Sequence, residues 1–245
     1  MLIHGDEFQA VTDRLNDLNW TELNHDLIEH GFTVLKPFLS ERHCETLRHF
    51  YHNDDLFRST IDMRRYNFGS GSYRYFCYPL PPLIETLRND LYQRLCTAAN
   101  LCWQRLRMGA EFPETFAGFQ TVMRAKEQTR PTPLILRYEA GDYNCLHQDL
   151  TEGLVFPYQV VVGLSEKGLD YEGGQLILTQ QRPRMQTVPH ILTIPRGGAV
   201  IFASSVHPHL GTRGYYRTIF KHGVGKIERG ERYTLGLVFH DYKNK

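Results

Sequence analysis

The 245-residue sequence lacks the features that mark secreted, membrane and thiolate-metal proteins. Its five cysteines are scattered and form no Cys-x-x-Cys pair, so the sequence predicts neither a disulfide framework nor a thiolate metal site. No apolar run approaches the length that crosses a bilayer, and the start has no basic-then-apolar signal region. We therefore expect a cytoplasmic protein with reduced thiols and no membrane contact.

The sequence also lacks an excess of charge of either sign. The formal net charge is +1, and charged residues make up 22% of the chain beside 41% hydrophobic residues, which is ordinary for a soluble globular protein. A near-neutral chain has no overall field that attracts nucleic acid, so a nucleic-acid partner is not favoured. We expect a small-molecule substrate and a monomer or small homo-oligomer.

Helical patterns fill the first half of the chain and strand patterns the second. The first thirty residues predict two helices, with Thr21 capping the second, and apolar residues after Pro82 recur every three or four positions. Strands are predicted at residues 156–164, 174–179, 187–194, 198–203, 215–222 and 232–240. Helices followed by strands indicate an α+β fold, an antiparallel sandwich or jelly roll braced by helices. No repeat or linker divides the chain, so we expect a single domain over residues 1–245.

Residues 58–82 combine arginines with aromatic residues. The candidate substrate contacts in this segment are Arg64, Arg65, Arg74 and Tyr75. The pattern fits two interpretations: a substrate cover whose arginines bind an anion, or a twisted hairpin with solvated arginines on one face.

A pair of metal-binding side chains follows the apolar run at 134–138. His147 and Asp149 are two residues apart on chain predicted to be extended, so both point to one face. An imidazole and a carboxylate are two of the three ligands in the 2-His-1-carboxylate set, which leaves positions open on non-heme Fe(II). Because a chain with twelve histidines contains such a pair by chance, a third ligand is required.

The candidates for the third ligand are His190, His207, His209, His222 and His240. Position favours His222, because the strand after it carries Arg232, whose guanidinium suits a carboxylate. Thr234 lies two residues further on the same strand face and adds a hydroxyl donor. His207 is the main rival, since Arg217 stands at the same distance after it.

This pattern of three ligands followed by Arg-x-Thr resembles the Fe(II)/2-oxoglutarate-dependent oxygenases, whose fold is a double-stranded β-helix. The run from Arg137 to Gly141 resembles that of AlkB-type nucleobase dealkylases and of a bacterial AlkB-like family assigned to oxidative repair of alkylated DNA. The resemblance implies a jelly-roll, cupin-like catalytic core at residues 131–245. Residues 1–130 would supply helical support and the substrate cover.

Carried over to this chain, the resemblance makes the pair at 147 and 149 and the histidine at 222 the iron ligands. It implies that Arg232 holds the distal carboxylate of 2-oxoglutarate, assisted by Thr234 and Tyr138. One departure concerns Leu136, because AlkB-type enzymes carry an Asn there. This departure weakens the DNA-repair assignment and leaves the iron site unaffected.

The implied cofactors are Fe(II), 2-oxoglutarate as cosubstrate, and O2. The implied reaction hydroxylates a C–H bond of a small polar substrate while 2-oxoglutarate is decarboxylated to succinate and CO2. An alternative is oxidative dealkylation of methylated nucleobases in DNA or RNA, and a third hypothesis is a non-catalytic binding module on the same fold. Gln159, on a strand near the predicted iron, and Arg217, in a basic stretch, are further candidate substrate contacts.

Overall fold

A computed structural model describes residues 5–109, 111–149 and 152–243, with the backbone alone for residues 5–7. Helices α1 to α5 span Gly5–Asn16, Trp20–His30, Glu41–Phe50, Pro82–Leu106 and Phe116–Arg124, and short 3₁₀ helices lie at Asp54–Leu56 and Met63–Tyr66. Strands β1 to β8 span Phe32–Leu35, Phe57–Asp62, Gly69–Ser70, Ser72–Phe76, Gln128–Arg130, Leu134–Glu139, Tyr143–His147 and Tyr158–Gly163. Strands β9 to β16 span Tyr171–Gly173, Leu176–Gln181, Val188–Leu192, Ala199–Ala203, Val206–Gly211, Gly214–Val224, Ile227–Val238 and Tyr242–Lys243.

The helix ends follow local hydrogen bonding. Asn19, rather than the predicted Thr21, caps α2, because the Asn19 side chain accepts a hydrogen bond from the Glu22 backbone while Thr21 already lies inside the helix. Gly31 ends α2 with φ +81°, a left-handed conformation that glycine adopts without a steric penalty. Ser40 caps α3, because its side chain accepts a hydrogen bond from the His43 backbone.

Two antiparallel sheets form the β core. The larger has the strand order β1-β12-β8-β15-β6-β4-β2, with β9 paired to β15, and the smaller has the order β11-β10-β14-β7-β3, with β13 paired to β14. Leu176 and Leu178 of the smaller sheet pack with Val200 and Phe202 of the larger, so the two inner faces meet. The predicted α+β fold with a jelly-roll core is confirmed.

Strand β15 shows how the larger sheet divides its two faces. Leu235 and Leu237 belong to the cluster that includes Leu87 and Leu91 of α4, so the helices cover one face. The alternate residues of β15 face the space between the sheets, as the period of two requires. The helical half of the chain therefore braces the sheet from behind and leaves its inner face for a cavity.

One segment differs from the sequence prediction. Residues 206–211, which lie outside the predicted strands, form β13 in a hairpin with β14, where the Thr218 hydroxyl donates to the His207 carbonyl at 2.9 Å. Residues 206–224 therefore form a β-hairpin. A hairpin was one of the two interpretations of residues 58–82, and β2 and β4 do pair there and extend the larger sheet through β6. No helix in the described residues is long and apolar enough to cross a membrane.

Candidate metal and cosubstrate site

The sheet pairing brings three metal-binding side chains together. His147 ends β7 and lies opposite His222 of β14, and Asp149 follows two residues later. Asp149 contacts both imidazoles, with 3.6 Å from its carboxylate oxygens to Nε2 of His147 and to Nε2 of His222. The three ligand atoms lie within 4.8 Å of one another. This separation suits three bonds of about 2 Å to one ion.

The hydrogen bonding of His147 fixes which nitrogen faces the ion. Its Nδ1 donates to the Cys145 carbonyl at 2.8 Å, and a carbonyl can only accept, so Nδ1 carries the proton. The Nε2 lone pair is therefore free to bind a metal. His222 presents Nε2 to the same point, since this nitrogen lies 3.6 Å from the Asp149 carboxylate.

The charges of the three groups also suit a cation. Burial would raise the pKa of Asp149, but the imidazoles of His222 and His147 outweigh burial and lower that pKa. Burial lowers the pKa of His222 to about 4, and Asp149 offsets this only in part. Burial also opposes protonation of His147, but the neighbouring Asp149 carboxylate raises the pKa of that ring. The cluster thus combines a carboxylate with a neutral His222.

Arg232 is a buried cation on the neighbouring strand β15. Its side chain is 2% exposed, its Nε has no hydrogen-bond partner, and no carboxylate of the described residues forms an ion pair with it. It lies beside the rings of Tyr138 and Tyr171, at 5.8 and 5.9 Å from their centroids. A buried guanidinium without an acid partner is costly, so its surroundings suit an anionic ligand.

Glycines provide the space for Arg232 and Tyr138. A Cβ on Gly174 would lie 3.0 Å from Cδ of Arg232, and a Cβ on Gly71 would lie 2.7 Å from Cδ1 of Tyr138. Both glycines have positive φ angles, +61° and +119°, which also disfavour a side chain.

A cavity of about 310 Å³ joins the metal-binding cluster to Arg232. At the Arg232 end it is lined by Leu136, Tyr138, Asn144, Leu176, Val224 and Thr234. On another side it is lined by Phe68, Tyr73, Tyr75, Gln148, Val238 and Tyr242.

The donor set and the cavity fit the groups expected from the sequence. Two imidazoles and one carboxylate are the ligands of a non-heme Fe(II) site with open positions, and a guanidinium is the group that binds a carboxylate in a bidentate manner. The residues present therefore fit Fe(II) together with a dicarboxylate such as 2-oxoglutarate.

The rival histidine lies elsewhere. His207 is fully buried against α2, with Nε2 3.1 Å from the Leu27 carbonyl. Arg217, the arginine that follows it, is exposed on β14 opposite Pro208. Neither residue lines the cavity.

The predicted substrate contacts divide into two groups. Tyr75 lines the cavity, and Gln159 lies against the metal-binding cluster. Arg74 points away, because it donates to the Tyr51 carbonyl and pairs with Asp54, both at 2.5 Å. Arg64 is largely exposed and 3.3 Å from Asp142. Arg65 is 80% exposed and, like Arg64 and Arg74, does not line the cavity.

Four cavity residues with hydrogen-bonding side chains, Tyr73, Asn144, Gln148 and Tyr242, were not singled out from the sequence. Tyr73 shares a strand face with Tyr75, so alternation could have indicated it. Tyr242 follows the last long strand and gave no signal of its own. Asn144 and Gln148 neighbour the predicted ligand pair, and alternation would have placed Asn144 on the face opposite His147.

Comparisons with known proteins identify a matching family and two similar sequences. A family model named Oxygenase-NA, described as an oxygenase catalysing oxidative methylation of damaged DNA, matches residues 71–242. The uncharacterized proteins Rv2227 and MT2286 of Mycobacterium tuberculosis are each 40% identical over 166 residues, covering 68% of this chain and 71% of theirs.

Solved structures share the fold at low sequence identity. A Pseudomonas putida prolyl-4-hydroxylase matches with TM-score 0.56 and 17% identity, covering 92% of this chain and all of its own. A Trichoplax adhaerens prolyl hydroxylase matches with TM-score 0.57 and 16% identity, covering 98% and 94%. A 2OG-Fe(II) oxygenase-family protein of Burkholderia pseudomallei matches with TM-score 0.51 and 14% identity, covering 94% and 95%.

Proposed function

Because the chain belongs to the Oxygenase-NA family of oxygenases, we propose that it hydroxylates a C–H bond of a small polar substrate. The family and the fold confirm the predicted superfamily, the Fe(II)- and 2-oxoglutarate-dependent oxygenases, and with it the cofactors Fe(II), 2-oxoglutarate and O2. One observation supports the proposal most: a 2-His-1-carboxylate cluster shares one cavity with a buried arginine that has no acid partner among the described residues.

In this proposal residues 131–245 form the catalytic core and residues 1–130 support it. His147, Asp149 and His222 would hold Fe(II), and the bound metal and cosubstrate supply the oxidant that removes hydrogen from a C–H bond.

The other end of the cavity would hold the cosubstrate. Arg232 would bind the distal carboxylate, with Thr234 and Tyr138 as hydroxyl donors beside it. Leu176 and Val224 line the same end and exclude water, which strengthens the charge pairing.

The substrate would bind against the tyrosines. Burial raises the pKa of Tyr73 to about 12 and also raises the pKa values of Tyr75 and Tyr242, so all three phenols stay uncharged. The hydroxyls of Tyr75 and Tyr242 lie 3.3 Å apart and can donate or accept hydrogen bonds. Uncharged rings with polar ends suit a polar substrate without a full charge.

A succinate assay tests the proposal. The protein, supplied with Fe(II), 2-oxoglutarate and O2, should release succinate slowly alone and faster with a true substrate, whose product gains one oxygen atom. An Asp149→Ala variant is the control and should release none above background. A folded, iron-loaded wild-type protein that releases no succinate would favour the non-catalytic binding module.

A second candidate, dealkylation of methylated nucleobases, is favoured by an exposed aromatic pair. Tyr66 and Phe68 are 54% and 45% exposed, and their rings stack with centroids 5.6 Å apart. Phe68 also lines the cavity, and Arg64 and Arg65 lie close in sequence with exposed side chains. Exposed aromatic rings beside arginines can stack on bases and contact phosphates.

A methylated single-stranded oligonucleotide separates the two candidates. If it is the substrate, it should stimulate succinate release, and Tyr66→Ala should reduce that stimulation while leaving release without substrate unchanged. If the oligonucleotide has no effect and a small neutral compound stimulates release, the second candidate is wrong.

A further inference from the structure

The phenol of Tyr138 is hydrogen-bonded to the side chain of Asn144. Tyr138 is fully buried, and its hydroxyl lies 3.3 Å from Nδ2 of Asn144. An amide nitrogen can only donate, so the phenol oxygen accepts this hydrogen bond. The phenol therefore keeps its own hydrogen for another acceptor.

The described residues offer no acceptor for that hydrogen. The only hydrogen bond of the Tyr138 hydroxyl within the described chain is the one from Asn144. Arg232, whose guanidinium lies 5.8 Å from the Tyr138 ring, has donors and no acceptor. Burial raises the pKa of Tyr138, so the phenol remains protonated and can act as a donor.

Asn144 reaches this position through an irregularity in the sheet. His222 pairs with His147, whereas Val224 pairs with Asn144, so β7 has one more residue than β14 between the two pairs. A bulge of this kind breaks the alternation of faces, so Asn144 and His147 both line the cavity. Gly223 allows the close approach, because a Cβ there would lie 2.7 Å from the Asn144 carbonyl oxygen.

From these contacts we infer that Asn144 is a positioning residue for the cosubstrate, which acts by turning the Tyr138 hydroxyl hydrogen toward the carboxylate bound on Arg232. The inference rests on the proposed function. Asn144 touches the phenol and works through it, so its removal should weaken cosubstrate binding without changing the metal ligands. The sequence pattern gave no signal for this role, because it depends on the bulge.

Binding measurements without turnover test the inference. Mn(II) is bound first, and 2-oxoglutarate is then titrated calorimetrically into the wild type, Asn144→Leu, Tyr138→Phe and the double variant. Asn144→Leu has a similar shape and no donor, and it should weaken 2-oxoglutarate binding about tenfold, the typical value for one lost hydrogen bond, while Mn(II) affinity is unchanged. Cys145→Ser, on the exposed side of the same strand, is the matched control and should bind as the wild type does.

The double variant distinguishes positioning from an independent contact. If Asn144 acts through the phenol, Asn144→Leu should have almost no effect once Tyr138 is Phe. Effects that multiply in the double variant, or an Asn144→Leu protein that binds 2-oxoglutarate as the wild type does, would overturn the inference.

Asn144→Asp provides a second test if the Asn144→Leu protein does not fold. Asn144→Asp has the same shape, but its carboxylate accepts the phenol hydrogen and repels an anion, so 2-oxoglutarate should bind still more weakly than to Asn144→Leu. Unchanged binding in Asn144→Asp would also overturn the inference. A wild-type protein that binds Mn(II) and no 2-oxoglutarate would instead refute the proposed function.

Discussion

His207 and His222 occupy two regions of the molecule that share strand β14. His207 lies on β13 opposite Thr218, and His222 lies further along β14 opposite His147. Burial lowers the pKa of each imidazole to about 4. His207 contacts a backbone carbonyl of α2, whereas His222 contacts Asp149. Burial and a lowered pKa therefore do not identify a metal ligand, and the partners of the ring do.

The largest expected effect comes from removing Asp149, which contacts His222 and not His207. Asp149→Ala should weaken Mn(II) binding by more than about 100-fold, because two imidazoles alone leave the cation without a charged ligand. Calorimetric titration of Mn(II) measures the affinity. Retention of the wild-type affinity would show that Asp149 does not make the His222 region a metal site.

The arginines that follow the two histidines provide the next test. Arg232→Leu should raise the KM for 2-oxoglutarate about 100-fold, since a buried charge-assisted pair with a carboxylate is lost. Arg217→Leu, the matched control on the exposed hairpin, should leave that KM unchanged. Succinate release at varied 2-oxoglutarate measures both, and the opposite pattern would assign the cosubstrate to the His207 region.

Acid stability tests the structural role of His207. Its unfolded-state pKa is near 6.5 and burial lowers the folded-state value to about 4, with Arg105 and His209 acting in the same direction and a Leu27 hydrogen bond against it. Below pH 6.5 the unfolded chain binds a proton that the folded chain does not. The stability contribution is therefore complete above about pH 6.5 and is lost as the pH falls toward 4.

We expect His207→Asn to reduce this loss. Between pH 7 and pH 4.5 the metal-free wild type should lose about 1 to 2 kcal/mol more unfolding free energy than the variant. Urea unfolding with a chelator present measures the difference. Identical pH dependence in the two proteins would show that His207 is not held neutral by its surroundings.

The smallest expected effect is that of replacing Arg74, which neighbours the cavity residue Tyr75 on strand β4. Arg74→Leu should lower the unfolding free energy by about 1 kcal/mol through its lost contacts with Tyr51 and Asp54, and should leave the KM for 2-oxoglutarate unchanged. Urea unfolding and the succinate assay measure the two quantities. An increased KM would place Arg74 in the cavity, contrary to its position in the fold.

The sequence predicted the features that depend on local pattern. The α4 stripe and the alternation of β15 follow from periodicity, and the sequence favours His222 over His207 because Arg232 and Thr234 follow it on one strand face. The order of helices and strands was enough to predict the fold class.

Features that depend on tertiary pairing were not predictable. Asn144 lines the cavity because of a bulge, and Tyr242 enters it because the chain end returns past β5. Arg74 turns outward because Asp54 lies beside it in the fold, although Arg74 is adjacent in sequence to the cavity residue Tyr75. Such contacts join residues that no local pattern relates.

The most direct test of the iron and cosubstrate site is the visible spectrum of the anaerobic protein with Fe(II) and 2-oxoglutarate. Chelation of ferrous iron by 2-oxoglutarate should give a weak charge-transfer band in the wild type and in His207→Asn, and no band in His222→Ala. A band that persists in His222→Ala, or that disappears in a folded His207→Asn protein, would contradict the assignment of His222 as the third ligand.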